Sequence, residues 1–206
     1  MLAQSNGCME KLMSEIGEYV QQLFAETGDG HLHYHNFSHT MDVVNNSLEI
    51  ARHYPLSGLD LQVLITAAWF HDTGHLFGTP AGHEEKSVLL MRNYFKDKNK
   101  DNAFLNQVEN AILCTRLSYK PTSLIEEILC DADLFHLGTD QFFSANEKVR
   151  AEMESRTNSL FPNWLSTTWI FMKEHHYFTG YCQQLLGEQK ARNIAVVEKQ
   201  ILEAQS

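Results

Sequence analysis

Proline is scarce in this sequence, with 4 residues in 206, and no stretch rich in glycine, proline or serine interrupts the chain. Such stretches mark linkers between domains and low-complexity segments. Their absence, with an apolar fraction of 43%, predicts a single domain spanning residues 1–206 that buries a sizeable core.

Cysteine is equally scarce, and long apolar runs are missing. Cys8, Cys114, Cys130 and Cys182 form no CxxC pair, and a chain of this length needs no disulfide, so we expect reduced thiols. No run of about eighteen apolar residues is present, and the first residues lack the basic and apolar regions of a signal peptide. We therefore expect a cytoplasmic protein that neither spans a membrane nor is secreted.

An excess of basic residues is also lacking, since 26 acidic residues face 16 basic ones, for a formal charge of -10. This charge repels anionic lipid and the phosphates of nucleic-acid polymers. We expect neither a membrane nor a nucleic-acid polymer as partner. The sequence makes no prediction of the oligomeric state.

Helical periodicity runs along almost the whole chain. Apolar residues recur at helical spacing over 9–24, and a second helix, capped by Asn36 or Ser38, continues until Pro55. The segment 59–74 is apolar on nearly all sides, which predicts a central helix. Further helices are predicted over 84–95, 103–117, 123–137, 141–156, 164–176 and 183–202. No strand pattern competes, so the predicted fold class is all-α, as one compact helical domain.

Histidine is the unusually abundant residue, with 11 in the chain. Seven of them fall within one stretch: His31, His33, His35, His39, His71, His75 and His83. Two of these, His35 and His39, are four residues apart at the start of a helix, so their side chains can converge on one pocket. His31 and His33 are expected in a loop, where they can line the mouth of the pocket, and His136, His175 and His176 are expected at the surface or at the edge of the core.

Two acidic signals accompany these histidines. His71-Asp72 ends an otherwise apolar helix, either as a solvated helix end or as a buried pair that needs a cation. Asp131 and Asp133 lie in another apolar helix, two residues apart, so we expect one to point inward. The inward aspartate can complete a ligand set with His39 and the His71-Asp72 pair, which suits one or two ions of Mn, Fe, Mg or Zn.

The order of these residues resembles the HD superfamily of metal-dependent phosphohydrolases. Residues 34–39, YHNFSH, and residues 71–75, HDTGH, are similar to signature words of cyclic nucleotide phosphodiesterases and of short bacterial HD proteins. Residues 133–138, DLFHLG, are similar to a nucleotide triphosphohydrolase branch. The resemblance implies an HD-type domain with its motif core at about 31–138.

The resemblance also implies roles for individual residues. His39, His71, Asp72 and Asp133 are the expected metal ligands, with Asp131 as the second choice for the last one. His35 is the expected proton donor to the leaving oxygen, Asp72 bridges if two ions bind, and His75 orients a water. His83 has three open interpretations: a helix cap, a phosphate contact or a ligand of a second ion.

The implied function is hydrolysis of a phosphoester of a nucleotide or another small phosphorylated metabolite by metal-activated water. It includes both phosphodiesterase and phosphomonoesterase activity. We expect the residues that select the substrate in the loop before His39 and in the helices from Gln141 onward.

Two alternatives remain, a metal-binding or nucleotide-binding sensory module without turnover and a di-iron oxygenase. The oxygenase branch inserts two more histidine ligands between HD and the last aspartate. Only His75 and His83 stand there in this chain, which disfavours that branch.

Overall fold

Nine α-helices make up most of the chain in the computed structural model, which describes the backbone of residues 2–27 and 30–204, with side chains from residue 11 onward in those ranges. No strand occurs in this part, so the all-α prediction is confirmed. The helices are α1 (Leu2–Thr27), α2 (Phe37–Ala51), α3 (Gly58–Phe70), α4 (His83–Phe95), α5 (Asn102–Cys114), α6 (Leu124–Asp133), α7 (Phe142–Thr157), α8 (Trp164–Glu174) and α9 (Gly180–Ala204).

Helix α3 lies at the centre of the fold, as its sequence predicts. It packs against α1, α2, α5 and α6, and its residues 63–68 are all buried. Its start is fixed by a capping box, in which Ser57 Oγ accepts from the amide of Asp60 and the Asp60 carboxylate accepts from the amide of Ser57. A central helix held at its start carries the residues at its other end into the interior.

The start of α2 is fixed by Asn36 and not by Ser38. The Asn36 side-chain oxygen accepts from the amides of Ser38 at 2.9 Å and His39 at 3.2 Å. This cap satisfies two of the amides that a helix start leaves unpaired. It also places His39 in the first turn of α2, with its side chain buried.

Helix α3 is shorter than predicted, because it ends at Phe70 and a 3-10 turn, Thr73–Leu76, follows. The reason is a close approach of α4. A Cβ atom on Gly74 would lie 1.9 Å from the carbonyl oxygen of His83. The amide of Gly74 also donates to Ser87 Oγ, at 2.8 Å. The turn therefore holds His75 beside the first residue of α4.

Helix α6 likewise ends before the predicted position 137, at Asp133, and a second 3-10 turn, Phe135–Gly138, follows. At Gly138 the chain passes α9 so closely that an added Cβ would lie 2.5 Å from Leu186 Cβ. Such tertiary contacts have no periodic signal in the sequence. Other boundaries differ too: α1 begins at Leu2, α5 ends at Cys114, α8 ends at Glu174 and α9 begins at Gly180.

A smaller cluster of buried apolar residues joins the carboxyl-terminal helices. It contains Leu137, Phe142 of α7, Met172 of α8 and Val197 of α9. In the described part of the chain, no helix has the length and apolar character needed to cross a membrane. Cys114, Cys130 and Cys182 are free thiols, while the side chain of Cys8 lies outside the described residues.

Candidate metal centre

Four side chains from three segments meet beside the carboxyl end of α3. His39 of α2 and Asp133 of α6 contribute Nε2 and Oδ1, which lie 3.1 Å apart. Asp72 Oδ2 lies 3.3 Å from His39 Nε2 and 3.2 Å from His71 Nε2. Asp133 Oδ1 also lies 3.6 Å from His71 Nε2. The residues predicted as metal ligands from the resemblance are thus brought together in space.

These atoms suit a divalent cation in spacing. Ligands held about 2.1 Å from an ion lie roughly 3.0–3.4 Å from one another in octahedral or tetrahedral arrangements, close to the distances seen here. His71 gives the sharpest sign, since its side chain is 0% exposed and its Nε2 has no hydrogen bond among the described residues. Its Nδ1–H donates to the carbonyl of Ala68, at 2.8 Å, which turns Nε2 toward the two carboxylates.

The charges at the cluster also suit a cation. Burial lowers the pKa of His39, but the hydrogen bonds and charges of Asp133 and Asp72 outweigh burial and raise that pKa to about 9. Burial raises the pKa of Asp133, but His39 and His71 outweigh it and hold that pKa well below its usual range. Two adjacent carboxylates thus require positive charge, which either protons on the imidazoles or a metal ion can supply.

The other aspartate of α6, Asp131, does not join this cluster. Its side chain is buried on a different face, where Oδ1 accepts from the amide of Phe178 and Oδ2 accepts from the amide and hydroxyl of Thr179, at 2.8, 2.8 and 2.6 Å. Only one of the two aspartates was expected to point inward, and the structure encloses both. Asp131 is 0% exposed, and the Asp133 side chain in the cluster is 20% exposed. Both are partly or fully enclosed, because α6 is covered on two sides.

His35 lies next to the cluster and is held by a carboxylate of α7. Its Nδ1 is 2.7 Å from Glu152 Oε1, while Glu152 Oε2 accepts from the amides of Tyr34 at 2.9 Å and His35 at 3.0 Å. Burial raises the pKa of Glu152, but these contacts outweigh burial and lower it to about 2. Glu152 is therefore an anion that accepts from His35 Nδ1–H, which leaves His35 Nε2 for the pocket.

His75 is held by Arg156, which lies on α7 as Glu152 does. Arg156 donates through one nitrogen to His75 Nδ1, at 2.8 Å, and through the other to the His75 and Gly78 carbonyls, at 3.0 and 2.8 Å. Since a guanidinium only donates, Nδ1 is an acceptor and the ring hydrogen of neutral His75 lies on Nε2. Burial, with the charges of His35, His83 and Arg156, lowers the pKa of His75 to about 2.

Three imidazoles form a stack at one side of the cluster. The ring of His75 lies 4.1 Å from that of His35 and 3.9 Å from that of His83, centroid to centroid. His83 is the first residue of α4, and its Nε2 lies 3.4 Å from Asp72 Oδ1. Its Nδ1–H donates to the carbonyl of Pro80 at 3.0 Å. Asp72 Oδ1 therefore faces the stack, while Asp72 Oδ2 faces the cluster.

The sequence model of the HD domain family matches residues 36–138, half of the chain. This chain belongs to the HD domain family. The matched segment contains the four clustered residues together with His75 and His83. The recognition made from the motif words is thereby confirmed.

A solved structure shares the fold of this HD domain protein. It is described as the crystal structure of a predicted HD superfamily hydrolase from an uncultured Thermotogales bacterium. The two chains are 23% identical, the alignment covers 92% of this chain and 91% of the other, and the TM-score is 0.59. No curated protein matches the chain.

The residues that sequence reasoning missed lie outside the HD match. Glu152 and Arg156 of α7 are four residues apart, a spacing typical of a solvated ion pair on a helix surface. Their side chains are instead 1% and 7% exposed. Glu152 contacts Nδ1 of His35, and Arg156 contacts Nδ1 of His75. The spacing of Glu152 and Arg156 is the only signal of these residues in the sequence, and it favours a solvated surface pair over the buried contacts that the structure shows.

The remaining histidines of this HD domain differ in their distance from the cluster and in what they contact. His136 was expected at the surface or the core edge, and its Nδ1 lies 3.0 Å from Tyr34 Oη in the wall of a cavity that also borders His39 and Asp133. Burial lowers the pKa of His136 to about 4. His33 lines the same cavity, His31 contacts Ser155, and His175 is half-buried beside Tyr177.

Proposed function

We propose that this protein is a metal-dependent phosphohydrolase that cleaves a phosphoester of a nucleotide or another small phosphorylated metabolite. The observation that carries the proposal is the convergence of His39, His71, Asp72 and Asp133, with the fully buried His71 Nε2 aimed at the carboxylates of Asp72 and Asp133. Membership of the HD family and the likeness to a described HD superfamily hydrolase support the same class of activity.

A divalent ion held by these four residues would lower the pKa of a bound water and offset the charge of the phosphoryl oxygens. Side chains of the protein supply the groups that orient the water and protonate the leaving oxygen. His75 Nε2–H is a donor fixed by Arg156, and it can orient an oxygen beside Asp72. Because its ring hydrogen is on Nε2, His75 is poorly suited to bind a second ion through that atom.

His35 is the proposed proton donor to the leaving oxygen. Its Nδ1–H donates to the anionic carboxylate of Glu152, which fixes the orientation of the ring. Its Nε2 is then the atom that gives a proton to the departing alkoxide. A cavity of about 620 Å³, lined by His35, His75 and His83, gives solvent and substrate access to this side of the stack.

The substrate is proposed to be small, because the chain has a formal charge of -10 and repels polyanions. We propose no nucleic-acid polymer or membrane as partner, and a cytoplasmic location. The oxygenase alternative is disfavoured by the number of histidines, since only His75 and His83 lie between His71-Asp72 and Asp133. The sensory alternative predicts metal binding without turnover.

The test is elemental analysis of purified protein, followed by assay of nucleotides, cyclic nucleotides and sugar phosphates with added Mn²⁺, Fe²⁺, Zn²⁺ or Mg²⁺. We expect turnover that is lost in His71→Ala and in Asp72→Ala while the far-ultraviolet circular dichroism is kept. His53→Gln and Asp97→Asn, both at exposed positions, are matched controls and keep the activity. Metal binding without turnover of any phosphoester overturns the proposal.

A further inference from the structure

A cavity of about 720 Å³ opens beside the candidate metal centre. It lies between the loop 115–121, the end of α6 and helix α8, and we refer to it as the α8 cavity. Asp133 and Leu134 line it on one side, so it borders one of the four expected ligands. Its volume falls within the range of about 300–1,000 Å³ typical of small-molecule sites.

Apolar side chains that face water are concentrated in this cavity. Leu117 is 72% exposed, Tyr119 is 51% exposed and Ile170 is 49% exposed, and all three line it together with Phe171 and Phe178. Single exposed apolar residues are ordinary on a protein surface, but several in one concave site indicate a binding surface. The aromatic faces of this lining suit another ring, which can stack or pack edge to face.

The second cavity beside the cluster has a different character. It measures about 460 Å³, borders His39 and Asp133, and is lined mainly by polar side chains, among them Asn45, Asn46 and Lys148. With the cavity beside His35, three cavities border the cluster or its imidazole stack, and exposed apolar side chains are concentrated in the α8 cavity. An apolar group attached to a phosphoryl group at the cluster is accommodated better by the α8 cavity.

The loop that carries Leu117 and Tyr119 is tied to the rest of the domain. Arg116 forms ion pairs with Glu84 and Glu85 of α4, and its guanidinium lies 5.5 Å from the centre of the Tyr119 ring. The two carboxylates neutralise Arg116, so this residue is not free to bind a phosphate. The same loop also carries Lys120, which lines the cavity beside the apolar side chains of Leu117 and Tyr119.

We propose that the α8 cavity binds the organic group of the substrate, and that this group is an uncharged aromatic ring of aryl or nucleobase size. The proposal rests on the proposed phosphohydrolase function and names its substrate class. Its phosphoryl oxygens lie at the cluster and its ring lies against Tyr119, Ile170 and Phe171.

The test measures binding without turnover. Calorimetry of the metal-loaded protein compares methylphosphonate with 1-naphthylphosphonate, neither of which is hydrolysed. We expect the naphthyl compound to bind at least about 10-fold more tightly, because its ring is removed from water. Ile170→Asp is expected to abolish this preference, and Leu117→Ser is expected to reduce it. Leu185→Asp, at a position that is also 49% exposed but lies on α9, is the matched control and keeps the preference.

Equal affinity of the wild-type protein for the two phosphonates overturns the inference, as does an equal effect of Ile170→Asp and Leu185→Asp. Turnover then separates this inference from the proposed function. If naphthyl and methyl phosphates are hydrolysed with equal kcat/KM, the proposed function stands and the inference fails. If the ring preference is found and no phosphoester is hydrolysed, the inference stands and the proposed function fails. Nucleoside monophosphates and aryl phosphates, compared in the same assay, distinguish a nucleobase from a simple aryl group.

Discussion

The two aspartates of α6 are expected to differ in how their substitution affects metal binding. Asp131 accepts three hydrogen bonds from Phe178 and Thr179 in a fully buried site, so Asp131→Asn places an amide NH₂ group against donors. An unsatisfied buried donor costs about 1–3 kcal/mol, so we expect the free energy of unfolding to fall by about 3 kcal/mol. Metal affinity is expected to change little.

Asp133→Asn is expected to weaken metal binding. His39 and His71 hold the pKa of Asp133 well below its usual range, so the metal-free protein should also lose stability when this charge is removed. Removal of a ligand should weaken metal binding by at least about 10-fold. Urea unfolding of EDTA-treated protein measures the stability, and competition with a chelator measures the metal affinity. The reasoning is refuted if Asp131→Asn weakens metal binding as much as Asp133→Asn does, or if neither variant changes stability.

Two further perturbations test the parts of the site that lie around the cluster. Gly74→Ala puts a Cβ 1.9 Å from the His83 carbonyl oxygen, so we expect a loss of about 1–3 kcal/mol of stability and a lower kcat. Gly187→Ala is the control, because a Cβ at Gly187 meets nothing within 4 Å, and it keeps both the stability and the kcat. Equal behaviour of the two variants contradicts the packing argument. The pKa of Glu152 is lowered from 4.5 to about 2, so its carboxylate stabilises the fold above pH 4.5, and this contribution, about 3 kcal/mol, is lost progressively as the pH falls toward 2. Acid unfolding of the metal-free protein followed by circular dichroism should therefore be less steep in Glu152→Gln, and an unchanged profile would show that the contact with His35 contributes nothing.

The existence of the helices and the type of the fold follow from local patterns. The apolar segment of α3 predicts its central position, and Asn36 before Phe37 predicts the start of α2. The ends of α3 and α6 could not be predicted in the same way. Gly74 and Gly138 stop these helices through close contacts with His83 and Leu186, which are distant in sequence and leave no periodic signal.

The candidate site shows the same division. The His71-Asp72 pair stands out because it ends an otherwise apolar helix. His39 stands out by its spacing from His35 and by the motif words, which also favour Asp133 over Asp131. Helix geometry alone left the choice open, and burial does not separate the two aspartates either, because α6 is enclosed on both sides. Glu152 and Arg156 remained unrecognised, because a carboxylate and a guanidinium at helical spacing are typical of a solvated surface.

The most direct measurement is anomalous diffraction from crystals of the protein grown with Mn²⁺, recorded at the manganese absorption edge. We expect a peak among Nε2 of His39, Nε2 of His71, Oδ2 of Asp72 and Oδ1 of Asp133, at about 2.0–2.3 Å from each. A peak that Asp133 or His71 does not contact, or no peak at saturating Mn²⁺, contradicts the assignment of these four side chains as the metal centre.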